Sequence, residues 1–124
     1  MAITSAICNS FKQEILEAEH NFTASTGNTF NLALYTSSAT LGAGTTAYTS
    51  SNEITNTSGT AYSAKGKALT SVTPTLDSST AVCDFADVSW TSASFTANGC
   101  LIFNDSHSTD AAVCAVAFGG DKTV

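Results

Sequence analysis

Arginine is absent from this chain of 124 residues, and only four lysines (Lys12, Lys65, Lys67 and Lys122) stand against ten acidic residues. The net charge is −6, so no basic surface of the kind that phosphate backbones require can form. An arginine finger or a bidentate phosphate clamp is excluded outright. Charged residues make up only 11 %, well under the roughly 25 % of an ordinary soluble domain. No run of 18 apolar residues is present, so no segment reads as a membrane-spanning helix. The N-terminal stretch lacks a basic region followed by a continuous apolar one, and is not expected to be a secretory signal. Neither nucleic acid nor membrane is therefore an expected partner.

Thr, Ser and Ala fill 56 of the 124 positions. A surface of small hydroxyls in place of Lys and Glu suits β-structure packed closely against neighbours. The length fits one domain, which can bury about two-thirds of its unfolded surface without metal or disulfides. The four cysteines, Cys8, Cys83, Cys100 and Cys114, are too widely spaced for a CxxC site. Buried thiols are the first expectation for them, bridges within or between chains the second and metal the last.

Ile7, Phe11, Ile15 and Ala18 recur at helical spacing, which predicts a helix over about residues 5–19, capped by Thr4 or Ser5. Glu14, Glu17 and Glu19 crowd its C-terminal half, against the helix dipole. They read as solvated carboxylates, or as groups that meet lysines or backbone amides of an adjacent subunit. From Phe30 the period becomes two, with Phe30, Leu32 and Leu34 on one face of a strand. A β-domain is expected over about residues 29–118. Residues 36–62 are poor in apolar side chains and read as a long surface loop, which would need an outside partner to order it.

Further strands are predicted at 68–72, 81–90, 92–97, 100–104 and 111–118. The last two are nearly continuous apolar runs and should be covered on both faces. In 81–90, Phe85 and Trp90 have opposite parity, so a bulge at 85–86 is expected to keep both inside. The fold class is thus mainly β: a single β-sandwich or jelly-roll-like domain with one N-terminal α-helix. Its candidate core is Phe30, Leu32, Leu34, Phe85, Val88, Trp90, Ile102 and Val116. Candidate interface residues are Ile7, Phe11 and Ile15 on the helix, and Tyr48, Ile54 and Tyr62 on the loop.

No catalytic, cofactor-binding or metal-binding set emerges. Asp105, Ser106 and His107 supply the residue types of a hydrolase triad, but neighbours in one turn cannot form its relay, and there is no GxSxG elbow. Asp84 and Asp87, three apart in a strand, should face opposite ways. No EF-hand calcium loop is present, and Asp77-Ser78-Ser79 reads as a turn. The N-x-[ST] triplets at Asn21, Asn56 and Asn104 are no more than chance provides, and Gly42-Ala43-Gly44 is too short for a nucleotide loop. No cofactor and no enzymatic activity are expected. A glycan-binding surface on the loop would need Tyr35, Tyr48 or Tyr62 exposed for stacking.

The ordered series ICNSFKQEILEAEHNF, TFNLALYTSSATL, TTAYTSSNEI, GTAYSAKGKAL, VCDFADVSWTSASFTANGCLIFN and AVAFGGDKTV spans nearly the whole chain. It resembles a group of small virion-associated proteins encoded by tailed bacteriophages, many from aquatic hosts. The shared features are a helical SFK-E-L start, an ALYTSSATL strand, a TNE loop and a DFADV-W strand. Members continue past F-G-DKT into a further strand, whereas this sequence ends at Val124, which implies a shortened sequence or a missing partner strand. The resemblance implies a non-enzymatic phage structural protein, made in the host cytoplasm and carried in the virion. A capsid decoration or cement subunit is the first expectation; a neck, tail or fibre subunit, or a host-surface glycan-binding module, is the alternative. Expected partners are copies of itself, as a homo-oligomer, and other virion proteins such as the major capsid protein.

Overall fold

Two apolar runs that alternate in parity with strand period build the centre of the molecule. In the computed structural model, which describes residues 2–55 and 61–124, Phe30–Tyr35 (β2), Thr96–Asn104 (β6) and Ala112–Thr123 (β7) pair antiparallel in that spatial order. Short edge strands Ala6–Ile7 (β1) and Lys67–Ala68 (β3) complete a five-stranded sheet ordered β1-β7-β6-β2-β3. Ser71–Asp77 (β4) and Thr80–Phe85 (β5) form a separate antiparallel hairpin. The fold is mainly β and sandwich-like, with one short helix, Asn9–Leu16 (α1).

The helix is half the expected length, because β-pairing claims its predicted first turn. Ala6 and Ile7 bond to Ala115 and Cys114, and the Cys8 amide donates to the Val113 carbonyl. Helix α1 therefore starts after Cys8, with no side-chain cap from Thr4 or Ser5. It ends in a Schellman-type turn, with Ala18 at φ 60° and the Glu19 amide donating to the Glu14 carbonyl.

Register assigns each sheet residue to a face. On one face lie Ala33, Tyr35, Leu101, Phe103, Ala112 and Ala115, all buried. They pack with Ile3, Cys8, Ala39 and Leu41 into one apolar cluster. Much of this cover comes from the segment that follows Tyr35. Leu41 pairs with Ile3, the Tyr48 ring sits 4.8 Å from that of Phe103, and Ala47 bridges Ala111. The segment at 36–62 does run over the surface, but the expectation that it needs an outside partner to cover its apolar residues fails for the described ones: Ala39, Leu41, Ile54 and Tyr62 are core. Sparse apolar residues suffice, because each lands on the sheet.

The opposite face carries Phe30, Leu32, Leu34, Cys100, Ile102, Cys114 and Val116. One end is covered by Ile54, Tyr62, Trp90, Phe95 and Phe118, the other by Phe11, Phe22, Leu69, Phe85 and Val88. Gly66 makes the β2–β3 contact possible: at φ 68°, a Cβ there would stand 1.9 Å from the Leu32 carbonyl oxygen.

The predicted strand over 81–90 stops at Phe85, so no bulge at 85–86 is needed. Phe85 and Trp90 are half-buried in different clusters instead of sharing one core. The register shift falls in the hairpin, between Val72 and Thr75, where Pro74 lacks an amide proton for the ladder. The predicted 68–72 strand divides into β3 and β4, and the 92–97 and 100–104 strands merge into β6. Val116, placed in the candidate core, is exposed, and Leu32, Val88 and Ile102 are half-buried; Phe30 and Leu34 are buried as expected. The 100–104/111–118 pair is thus fully covered on one face only.

Candidate functional site

The cross-strand row Ile7–Cys114–Ile102–Leu32 forms the middle of the incompletely covered face. Between its two covered ends an open apolar groove of about 720 Å³ remains. Its floor is that row together with Val113. One wall is α1, through Phe11 and Ile15, and the other is the hairpin, through Pro74, Val82 and Phe85. Phe22, stacked on Phe30 at 4.3 Å, and Leu69 close the end near Phe30.

The hairpin wall is thinly supported. Every residue of β4 and β5 is exposed except Ser71 and Phe85, which are half-buried. An isolated two-stranded hairpin is marginal in water. This one is held at its base by the Ala86 amide donating to the Thr70 carbonyl, by the Ala24 amide donating to Thr73 Oγ1, and by Phe85 against Phe22 and Phe30.

The exposed large hydrophobic residues gather around the groove. Among the described residues they are Ile7, Ile15, Leu16, Val72, Leu76, Val82, Val116 and Val124. All but Val124 lie on the elements framing the groove or on the same sheet face. Leu76 is 73 % exposed and Leu16 87 %. Three of the exposed residues, Ile7, Ile15 and Val82, line the groove itself.

Of the candidate interface residues, Ile7, Phe11 and Ile15 meet at this groove. Ile54 and Tyr62 do not: they are buried in the domain, and Tyr48 is half-buried beneath the covering segment. The hydroxyls of the two tyrosines tie them inward. Glu53, only 8 % exposed, accepts from Tyr48 Oη at 2.5 Å, from Tyr62 Oη at 2.6 Å and from the Lys65 amide at 2.8 Å. Tyr62 Oη in turn accepts from the Leu34 amide. This buried carboxylate fastens the covering segment to β2. Burial, with Glu53 alongside, pushes the Tyr48 hydroxyl up to about 12 and those of Tyr35 and Tyr62 higher still.

A second polar cluster ties α1 to the β6–β7 turn. His20, with its ring fully buried, meets Glu14 Oε1 through Nε2 at 2.9 Å and Asn104 Nδ2 through Nδ1 at 3.0 Å. Asn104 is fully buried, and its Oδ1 accepts from the Ser106 amide. Its Nδ2 therefore faces His20 Nδ1. His107 Nε2 meets Glu19 at 2.7 Å, which holds that carboxyl below its usual range. Glu14 and Glu19 thus each find a histidine of their own chain. No sequence signal links His20 to Asn104, 84 residues away.

The Asp105-Ser106-His107 turn is not a relay. Asp105 pairs with Lys65, Ser106 Oγ accepts from the Thr29 amide, and His107 turns to Glu19. Thr109 Oγ1 lies 3.0 Å from His107 Nδ1, but the ring nitrogens are reversed relative to a Ser-His-Asp triad, and none of the three residues borders the groove. Among the described residues, no group of three His, Cys, Asp or Glu could hold a metal ion. No described helix is long and apolar enough to cross a membrane. The sequon at Asn104 is buried; that at Asn56 lies outside the described residues. All four cysteines are free thiols: Cys8 and Cys100 buried, Cys114 half-buried and Cys83, against expectation, exposed.

Compared with protein-family models, curated proteins and solved structures, the chain matches none of them.

Proposed function

We propose that this chain is a non-enzymatic structural protein of a bacteriophage particle, in first place a capsid decoration or cement subunit. The observation that carries a docking role is the apolar groove and the exposed hydrophobic residues that frame it. Each of those side chains gains about 1 kcal/mol or more when a partner covers it. The phage assignment rests on the motif series from SFKQEIL to FGGDKT, which resembles small virion proteins along nearly the whole chain. The partners are then other virion proteins, such as the major capsid protein, and further copies of the chain.

Locating the subunit in intact particles by electron microscopy tests this reading. Density for the chain on the capsid lattice supports a decoration subunit, whereas density at the neck, tail or fibre moves the assignment to the alternative. Absence from the particle overturns it. The glycan-binding alternative has lost its support, because Tyr35 and Tyr62 are buried and Tyr48 is bonded to Glu53.

A further inference from the structure

The groove is apolar throughout except at two positions. Asp84 and Asp87 are its only charged lining residues, brought to the same groove because β5 ends between them. Among the described residues, no lysine stands within ion-pair distance of either. Lys65 pairs with Asp105 and Asp110, the Lys67 ammonium donates to the Ser89 carbonyl beside the Trp90 ring, and Lys12 reaches Asn9. Asp84 accepts from the amide of Phe85 next to it. An apolar partner that covered the groove and brought no cation would leave two exposed carboxylates at its margin without a counter-charge.

We infer that the groove seats an apolar segment flanked by lysine or arginine, supplied by a protein other than this chain. The inference rests on the docking role proposed above and adds the chemistry of the partner. A second copy fits poorly: it carries net charge −6 and no arginine. A twofold contact through the groove would also set Asp84 and Asp87 near their counterparts. Cations on the partner would pair with the two carboxylates at the groove margin, favouring the right partner and speeding encounter more than adding affinity.

The test pans a displayed random-peptide library against the full chain and titrates the enriched peptides against variants. Ile15→Asp and Val82→Asp change exposed wall residues, and Asp84→Asn with Asp87→Asn removes the charges. Circular dichroism of the aromatic residues verifies the fold of each variant. Enriched peptides should carry an apolar run next to Lys or Arg. Either wall variant should weaken them about tenfold or more. The double Asn variant should weaken them roughly three- to tenfold and flatten the salt dependence. Failure to enrich any peptide, peptides without cationic flanks, or binding unchanged in the wall variants overturns the inference. So does self-association of the wild-type chain, seen by sedimentation, that the wall variants abolish. Particle location is read separately: a subunit found on the capsid whose groove ignores cationic peptides defeats this inference and leaves the structural reading standing.

Discussion

The two faces of the central sheet are built from the same three strands with alternating parity, yet they end in different states. On one, Ala33, Tyr35, Leu101 and Phe103 are fully buried under the segment that follows β2. On the other, Leu32, Ile102 and Cys114, their neighbours in sequence, floor an open groove. Side-chain apolarity does not explain the difference. A buried polar anchor ties the segment after β2 to the sheet: Glu53 bonds Tyr48, which packs on the closed face, and Tyr62, which covers one end of the other face and bonds β2. Beside the groove the open face has only an exposed hairpin, held at its base and lacking such an anchor. A sheet face can stay uncovered only if the domain is stable without a cover there, and the closed face supplies much of that stability.

The largest effect that could break this comparison is expected at Glu53. Glu53→Ala removes the buried carboxylate that accepts from the Tyr48 and Tyr62 hydroxyls and the Lys65 amide, so unfolding by urea should show a loss of about 3–5 kcal/mol. A loss under about 1 kcal/mol means that the anchor does not hold the closed face.

Alkaline pH should attack the same anchor and the tyrosines around it. Tyr35, Tyr48 and Tyr62 all titrate above the ordinary tyrosine value near 10 when folded. Raised folded values mean stability fully present below about pH 10 and lost as pH rises above it. The loss is about 1.4 kcal/mol per pH unit for each tyrosine that stays protonated in the fold. Tyrosinate absorbance should therefore appear together with unfolding; tyrosinate forming near pH 10 in a chain with intact tertiary circular dichroism contradicts the burial of these hydroxyls.

On the open side, Leu76→Ser and Val82→Ser should change stability by no more than about 0.5 kcal/mol in the isolated chain, because both side chains already face solvent. A loss above about 2 kcal/mol would make the hairpin part of the core and close the distinction between the faces.

The finest comparison is thiol reactivity. Cys83 on the hairpin should be modified first and Cys114 in the groove floor more slowly. Burial pushes the Cys8 thiol to about 11 and the Cys100 thiol to about 12, so both should react only on unfolding. Early labelling of Cys8 shows that the closed face opens locally.

The β class was legible because Phe30, Leu32 and Leu34 alternate and the runs at 100–104 and 111–118 are apolar. The apolar stripe was legible too: Phe11 and Ile15 on α1 and Ile7 on β1 do meet at the groove. The first turn of the helix was misread because a free edge of β7 outcompeted a weak cap, a choice no local pattern records. The covering segment was misread because Leu41, Tyr48, Ile54 and Tyr62 have no period, although each reaches the interior. The hairpin was obscured by Pro74, which argues against a regular strand and is accommodated at a register shift.

The sequence by itself determined the strand-forming centre, the absence of any basic surface, and the lack of a spaced metal or nucleophile motif. Those properties depend on residue type and near-neighbour spacing, both local. Only the tertiary structure decided which face is closed, that His20 meets Asn104, and that Asp84 and Asp87 share one groove. Parity along a strand says that two residues share a side. What covers that side is set by the path of chain segments tens of residues away, where closure depends on a few long-range bonds such as those to Glu53.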